Sequence, residues 1–424
     1  MRSAAVAILM VLTLSTPGLG QQRLAPPADP AVVGPDAAAQ AYLDTVPSEK
    51  KARSDAYFEG GYWLMLWQFL WSSAVLVLLL HSGWSARLRD LGARATRFRS
   101  IQPGIYWFGF VLITTLVGLP LAVYGGFWRE HQYDLATQTF GGWMGDYVKA
   151  LGLQLVLGAI LIVVLYAVLR RTGRSWWIWG AAVTIAFASF INTIGPVYLA
   201  PIFNTYQPLQ NATVREPILR MAHANGIAAN EVWEVDASRQ TTRISANVSG
   251  MLGTERITLN DNLLNRASPA AVEAVMGHEM GHYVLNHVYE MLAYFAIVIA
   301  AGFAITGWAF DRLAARYRSR WRVNGIADPA GMPLIVLIFG AYLFLLTPVL
   351  NTIIRTNEYE ADIFGLNAAG QPDGFAEAAL LLGDYRKLDP SPLEEVILFD
   401  HPSGRTRILA AMRYKANTTL ERRP

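Results

Sequence analysis

Apolar residues fall in long runs that are separated by short polar stretches along most of the chain. Six runs follow residue 60: Tyr62–Leu80, Ile105–Phe127, Lys149–Leu169, Ser175–Leu199, Tyr289–Phe310 and Met332–Leu350. About twenty apolar residues are enough to cross a bilayer as a helix. Tyrosine and tryptophan, which favour the membrane interface, stand at the ends of runs, as Tyr62 and Trp176 do. The pattern predicts four membrane helices in residues 61–200 and two in residues 289–350.

The loops between the runs differ in their arginine content. Three loops are rich in it: Arg87, Arg89, Arg94, Arg97 and Arg99 in the first, Arg170, Arg171 and Arg174 in the second, and Arg312, Arg316, Arg318, Arg320 and Arg322 in the third. The loop at 128–148 carries only Arg129. Because cytoplasmic loops are enriched in lysine and arginine, the three loops are expected in the cytoplasm. Residues 201–288 and 351–424 are then expected on the opposite side.

The beginning of the chain has the pattern of a secretory signal peptide. Residues 1–20 contain one arginine, a short apolar stretch and small residues before Gln21. The alternative is an uncleaved first membrane anchor, because cleavage-site rules are loose. Residues 21–60 open with a stretch rich in proline and alanine, and we expect a flexible segment there.

Two stretches, 201–288 and 351–424, mix charged and apolar positions and are expected to fold outside the bilayer. Residues 214–227 have the apolar spacing of an amphipathic helix. Short strands are predicted in "EVWEVDA", "ANVSGMLGT" and "ERITLND", the second of which ends in a glycine turn. Residues 357–369 and 373–388 are predicted as helices.

Composition agrees with a membrane protein. Hydrophobic residues make up 53% of the chain and charged residues only 16%, against about 25% charged in soluble domains. The net charge of +3 gives no indication of nucleic-acid binding, and membrane lipids are the expected surroundings. The chain has no cysteine, which excludes disulfides, thiolate zinc sites and cysteine nucleophiles.

The stretch "VMGHEMGHYVLN" combines residue types that bind metals and move protons. His278 and His282 are four residues apart, so on a helix both imidazoles share one face and can bind one ion. Glu279 would face the same cavity and could take a proton from a water at the metal. The alternative is a pair of histidines hydrogen-bonded in a helix packing face. Gly277 and Gly281 each cost about 1 kcal/mol in a helix, and they would allow close packing or leave room for a substrate.

A catalytic zinc ion needs three protein ligands, so the third must come from elsewhere in the chain. Metzincins would have a histidine at position 288, which is Val288, and that class is excluded. His287 lies off the ligand face and is expected behind a ligand or at the surface. "RTNEYEADIFG" offers Glu358 and Asp362 on one face, with Glu360 pointing elsewhere. One of the first two can bind zinc while the other accepts a hydrogen bond from a ligand histidine; the alternative is an ordinary solvated helix face.

Three motifs in this order, "HEMGHYVLNH", "RTNEYEAD" and "FDHPSGRTRI", resemble those of the type I CAAX prenyl endopeptidases and their bacterial relatives, which are integral-membrane zinc proteases. The resemblance extends to "GLPLAVYGGFWREHQYDLATQTFGGWMGDYVKA" and "IGPVYLAPIFNTYQPLQN" and covers roughly residues 100–415. It implies a mainly α fold, a polytopic helical bundle enclosing a chamber, with a gluzincin-like zinc protease domain that carries a small β-sheet.

The resemblance also implies one zinc ion per chain and the following site: zinc ligands His278, His282 and Glu358, general base Glu279, ligand partner Asp362, and His401 with Arg407 at the oxyanion. The implied substrate is a peptide or protein tail that can carry a lipid. The expected location is the bacterial inner membrane, and the arginine loops place the catalytic domain on its extracytoplasmic side.

The chain departs from the family at two points. The strand expected to pair with substrate has Ser245, Ala246 and Asn247 where family members usually carry Asn-Ala. Edge-strand capture needs only backbone groups, so this departure bears on side-chain specificity. Eukaryotic members have seven spans and a catalytic side that faces the cytosol, whereas six runs and the opposite facing are predicted here.

Two other functions compete with CAAX processing. One is membrane-protein quality control by a protease without prenyl specificity. The other is a non-catalytic transporter or chaperone in which the histidines are structural. Transporters often carry ionisable groups within their spans, and the six runs are almost free of them.

Overall fold

The computed structural model describes residues 29–249 and 255–421, which are mainly helical. The helices are α1 (Pro30–Val33), α2 (Pro35–Asp44), α3 (Ser48–His81), α4 (Trp84–Ala95), α5 (Gln102–Val123), α6 (Arg129–Gln132), α7 (Phe140–Arg171), α8 (Trp176–Ile194), α9 (Ala212–Ala224), α10 (Asp261–Arg266), α11 (Pro269–Val284), α12 (His287–Trp321), α13 (Met332–Leu345), α14 (Thr347–Ala369), α15 (Pro372–Leu382), α16 (Pro392–Leu398) and α17 (Gly404–Glu421). The signal peptide or anchor predicted at 1–20 lies outside the described residues, as does the glycine turn predicted at 250–254.

Within the described residues, five helical stretches are long and apolar enough to span a membrane: Ser48–His81, Gln102–Gln132, Phe140–Arg171, Gly173–Ile202 and His287–Trp321. The predicted sixth span is not one helix. It is divided into α13 and α14, which are bent by 57° at Leu346. Pro348 follows the break and has no backbone N–H to donate across it. Alone, the fourteen residues of α13 reach only about 21 Å, which is less than the hydrocarbon thickness.

The segment at 21–60, expected to be flexible, is helical from Pro30 onward. Ala39 and Tyr42 of α2 are buried against Ile408 and Met412 of α17. Proline and alanine content suggested flexibility, but the apolar residues of α2 form one face that the last helix covers. The first membrane helix also begins at Ser48, well before the apolar run.

The arginine-rich loops meet at one end of the helical bundle. Arg89 of the first loop donates to the carbonyl oxygen of Arg322 in the third at 2.9 Å. Arg170 of the second loop donates to the carbonyl oxygen of Arg99 in the first. His81, the last residue of α3, lies at this end, where its ring contacts a tryptophan of α12. Ser54, near the start of α3, contacts the carbonyl of Arg386 in the C-terminal part. At 1.5 Å per residue these contacts are roughly 40 Å apart, so the loops and the C-terminal part lie at opposite ends of α3.

A four-stranded sheet lies in the part between the fourth and fifth spans. Its strands are β1 (Tyr206–Pro208), β2 (Val232–Val235), β3 (Ala246–Ser249) and β4 (Arg256–Asn260), in the spatial order β1-β2-β4-β3. The β2–β4 pair is parallel and the other two pairs are antiparallel. The strand β1 was not predicted, and it is only three residues long. Ile218 of α9, Ile257 of β4 and Met276 of α11 are completely buried in one core. The strand order places β3 at an edge of the sheet, where it contacts α11.

Candidate active site

The helix α11 carries the His-Glu-x-x-His motif and has a defined start and end. Ser268 caps its first turn by accepting a hydrogen bond from the Ala271 N–H at 3.2 Å, and Pro269 occupies the first turn, where its missing N–H is not needed. The helix stops before Asn286, whose φ of 60° is left-handed. Asparagine tolerates this region better than most residues. The helix that carries the His-Glu-x-x-His motif therefore abuts α12 but is not continuous with it.

Small residues let α11 and α14 approach each other closely. A Cβ atom on Gly277 would lie 2.9 Å from the Gly365 oxygen, and one on Gly281 would lie 3.0 Å from the Ala361 Cα. In the other direction, a Cβ on Gly365 would lie 2.6 Å from the His278 nitrogen. Of the two roles considered for the motif glycines, these contacts favour close helix packing, and this packing brings the acidic helix beside the histidines.

The structure brings His278, His282 and Glu358 together. The two Nε2 atoms are 3.2 Å apart, the Glu358 Oε2 lies 3.3 Å from His278 Nε2, and its Oε1 lies 3.4 Å from His282 Nε2. Tetrahedral zinc with bonds of about 2.0–2.1 Å would hold its ligand atoms roughly 3.3 Å apart. The donor set and its spacing therefore fit a zinc ion.

A buried ion-pair network lies behind this triangle. Asp362, which is 1% exposed, has Oδ1 2.8 Å from His278 Nδ1 and Oδ2 3.0 Å from Arg407 Nε. Arg407 also donates to Glu358 Oε2 at 2.9 Å. Burial alone would lower the pKa of His278, but Asp362 and Glu358 outweigh it and raise that pKa to about 10. The network fixes the orientation of both the histidine and the carboxylate.

A cavity of about 240 Å³ opens on these groups. It is lined by Glu279, by the three converging residues, and by Ser245 and Ala246 at the start of β3. Burial raises the pKa of the Glu279 carboxyl, and the nearby histidines His278 and His282 oppose this rise. Asn247, the third residue expected at the substrate strand, is exposed and does not line the cavity. Two residues of the expected substrate strand, Ser245 and Ala246, therefore line the same cavity as Glu279.

His401 approaches the same site from the loop before α17. Its Nε2 lies 3.4 Å from Glu358 Oε2, and its Nδ1 lies 2.7 Å from Asp400 Oδ1. The carboxylate of Asp400 thus holds the imidazole with Nε2 directed toward the triangle. All seven side chains predicted for the metal and its chemistry line one cavity. Six of them come from α11, α14 and α17, and His401 comes from the loop before α17.

His287 was expected behind a ligand or at the surface, and the structure excludes the surface. The side chain is 3% exposed, and its Nδ1 lies 2.9 Å from the Nδ1 of His282. Glu360 points away from the triangle, as expected, and its Oε2 lies 3.3 Å from His287 Nε2.

Two family models match the chain. Peptidase family M48 matches residues 208–415, and the CAAX prenyl protease N-terminal family, described as having five membrane helices, matches residues 35–205. A relative from Bacillus subtilis (strain 168), the uncharacterized metalloprotease YhfN, is 32% identical over 333 residues, which are 78% of each chain. The chain belongs to peptidase family M48. This confirms the family that the three motifs predicted.

Other relatives are named as CAAX prenyl proteases. CAAX prenyl protease 1 of Saccharomyces cerevisiae is 26% identical over 323 residues, 70% of this chain and 69% of that protein. The human CAAX prenyl protease 1 homolog is 24% identical over 348 residues, 70% and 72% of the two chains. The crystal structure of Saccharomyces mikatae Ste24p superposes with a TM-score of 0.75 over 87% of this chain and 90% of that one, at 20% identity. This M48 chain is therefore a multi-pass membrane metalloprotease with the mainly α fold of that structure, in a family that uses zinc.

Two features were not predicted from the sequence, one outside the cavity and one in its lining. Glu130 accepts from Tyr57 at 2.6 Å and pairs with Arg243 at 2.6 Å, which ties the first two spans to the segment before β3. Glu130 lies in the stretch "GLPLAVYGGFWREHQYDLATQTFGGWMGDYVKA", which resembles the family, but the resemblance assigned no role to it. Arg386 lines the cavity, and burial followed by the charge of Arg407 lowers its pKa. Among residues 29–249 and 255–421, no carboxylate forms an ion pair with Arg386, and no local pattern marks this arginine.

Proposed function

We propose that this M48 protein is a membrane-embedded zinc metalloendopeptidase with His278, His282 and Glu358 as ligands. The observation that carries the proposal is the convergence of the two histidine Nε2 atoms, 3.2 Å apart, on the Glu358 carboxylate. Its Oε2 lies 3.3 Å from His278 Nε2 and its Oε1 lies 3.4 Å from His282 Nε2, and Glu279 lines the same cavity. Zinc in such a site acts as a Lewis acid and lowers the pKa of water.

The remaining side chains have separate tasks in peptide hydrolysis. Glu279 takes the proton of the attacking water and passes it to the leaving amine; a pKa raised by burial suits a group that both accepts and donates. Asp362 and Arg407 position His278 and Glu358. His401 donates from Nδ1 to Asp400, so as an imidazolium it also donates from Nε2 to the charge that develops on the carbonyl oxygen.

Three observations support a lipidated tail of the CAAX type as the substrate. The edge strand β3 can pair with an extended peptide through its backbone. An apolar cavity of about 510 Å³ between α8 and α12 reaches His282 and His287, and it is large enough for a small ligand. Arg386 brings a positive charge into the polar cavity, where the carboxylate at the end of a short tail could meet it.

Peptide hydrolysis without prenyl specificity, in membrane-protein quality control, is the alternative within the same enzyme class. A non-catalytic transporter or chaperone fits less well, because the site retains both the ligand triangle and the base. We place the catalytic domain on the extracytoplasmic side of a bacterial inner membrane, since it lies at the end of α3 opposite the arginine loops. Labelling of a tagged 81–104 loop from outside would overturn this orientation.

The test compares matched peptides with the purified full chain in detergent. Wild type and Glu279→Gln should each hold one zinc ion, and only wild type should cleave. A farnesylated peptide should be cleaved faster than its unprenylated twin. Equal cleavage by the two proteins would refute the role of the base. Equal cleavage of the two peptides would favour quality control over CAAX processing.

A further inference from the structure

A second layer of hydrogen bonds lies behind the ligand His282, on the side away from the triangle. His282 Nδ1 and His287 Nδ1 are 2.9 Å apart, and His287 Nε2 is 3.3 Å from Glu360 Oε2. The His287 ring is 3% exposed, whereas the Glu360 side chain is 53% exposed. The chain of contacts therefore runs from the metal site through a buried ring to a carboxylate at the protein surface.

This contact depends on the break between α11 and α12. In a continuous helix, His287 would follow His282 by five residues and point roughly 140° away from it. The left-handed Asn286, at φ 60°, interrupts the helix between them. The first residue of α12 is thereby turned back against the last turn of α11, where His282 lies.

The positions of the protons follow from the order of the contacts. A histidine that binds a metal through Nε2 carries its hydrogen on Nδ1, so His282 would donate from Nδ1 to the Nδ1 of His287. His287 then carries its hydrogen on Nε2, where it can donate to Glu360. Each nitrogen in the chain has one complementary partner.

We infer that His287 and Glu360 are positioning residues that hold His282 in the tautomer and ring orientation required for zinc binding. The inference rests on the proposed function, because it takes His282 Nε2 as a zinc ligand. The other ligand histidine is held directly by buried Asp362 at 2.8 Å. His282 is instead held by a neutral ring, and the charge of Glu360 stays one ring farther from the metal.

The same groups also have the composition of a second cation site. His287, Glu290 and Glu360 offer one ligand atom each, and these atoms lie within 4.8 Å of one another. A metal on His287 Nε2 would leave its hydrogen on Nδ1, facing the hydrogen of zinc-bound His282 across 2.9 Å. Two N–H donors that face each other without an acceptor repel. Zinc on His282 and a cation on His287 would therefore each weaken the binding of the other.

The experiment measures zinc affinity of the full chain in detergent by competition with a chromophoric chelator. His287→Phe fills the same space without an acceptor, and we expect it to weaken zinc binding about 10- to 100-fold. His287→Asn retains an acceptor oxygen for His282 and should recover most of this loss. Glu360→Leu should weaken binding severalfold, whereas Glu290→Gln, at the neighbouring carboxylate, should stay within twofold of wild type.

A second readout separates positioning from folding. The metal-free melting temperatures of the His287 variants should match that of wild type, while their zinc release becomes faster. Zinc affinity of His287→Phe within twofold of wild type, or equal losses in His287→Phe and His287→Asn, would overturn the inference. A second bound zinc that Glu290→Gln removes would overturn it in favour of a cation site. If wild type binds no zinc at all, the proposed function fails instead.

Discussion

The close crossing of α11 and α14 makes Gly365 a sensitive position for the metal site. In Gly365→Ala, the new Cβ would lie 2.6 Å from the His278 nitrogen and 2.9 Å from its Cα. These are backbone atoms, so no side chain can rotate away. Restoring ordinary contact at 3.4 Å requires a local separation of about 0.8 Å between the helices. Zinc ligand distances tolerate only about 0.2 Å, and His278 and Glu358 are on the two helices that must separate.

Overpacking of this kind costs about 1–3 kcal/mol. If the strain is relieved by moving α14 away from α11, zinc affinity should fall by roughly 5- to 150-fold. If α14 stays in place, the melting temperature should fall instead. Both are measured on purified protein, by chelator competition and by thermal unfolding with and without zinc.

Gly145→Ala is the matched control, because Gly145 also lies within a helix but a Cβ there would meet nothing within 4 Å. It should leave zinc affinity and cleavage unchanged. Wild-type zinc affinity and wild-type melting temperature together in Gly365→Ala would refute the claim that this contact sets the ligand geometry.

Three further predictions concern the site itself. Asp362→Asn should weaken zinc binding about 10- to 100-fold, since the charge that holds His278 is lost; unchanged affinity in chelator competition would contradict this. Because the pKa of His278 is raised to about 10 without metal, this group is protonated at pH 7 and must lose its proton to bind zinc. Calorimetry in two buffers of different ionisation enthalpy should show release of about one proton at pH 7, and apparent affinity should rise as pH rises toward 10; absence of proton release would contradict the raised pKa. Wild type should cleave peptides that end in a free carboxylate about tenfold or more faster than the corresponding amides. Arg386→Gln should abolish this preference, and Arg386→Lys should keep part of it. Equal cleavage of acid and amide by wild type would contradict the role of Arg386.

Several features of the fold were predictable because they leave local or periodic patterns in the chain. Five of the six apolar runs lie in single helices that are long and apolar enough to span a membrane, and the arginine-rich loops meet at one end of the bundle. The four-residue spacing of His278 and His282 placed both on one face of α11. Residues 30–60 were misjudged because composition suggests flexibility, whereas the partner that orders α2 is α17, more than 350 residues later.

The candidate site shows where such patterns stop being informative. Spacing put Glu358 and Asp362 on one helix face but could not say which would meet the metal. The crossing of α11 and α14 decides it, because it places Glu358 against the two Nε2 atoms and Asp362 against the Nδ1 of His278. Helical periodicity likewise placed His287 off the ligand face, and it failed to find the contact with His282 because one left-handed residue, Asn286, changes the chain direction.

The chain itself specified five of the six predicted membrane-length helices, the histidine pair with its glutamate, and the motifs of the family. Each of these depends on residues that are near one another in sequence. The packing of distant or broken helices determines three further contacts: Arg386 with the cavity, Glu130 with Arg243, and His287 with His282. Packing is set by many small contacts at once, such as those at Gly277 and Gly365, where the lack of a side chain lets two helices approach closely. No single local pattern encodes the sum of these contacts. The residues that could bind zinc were therefore visible in the sequence, whereas the arrangement that would make them bind it was visible only in three dimensions.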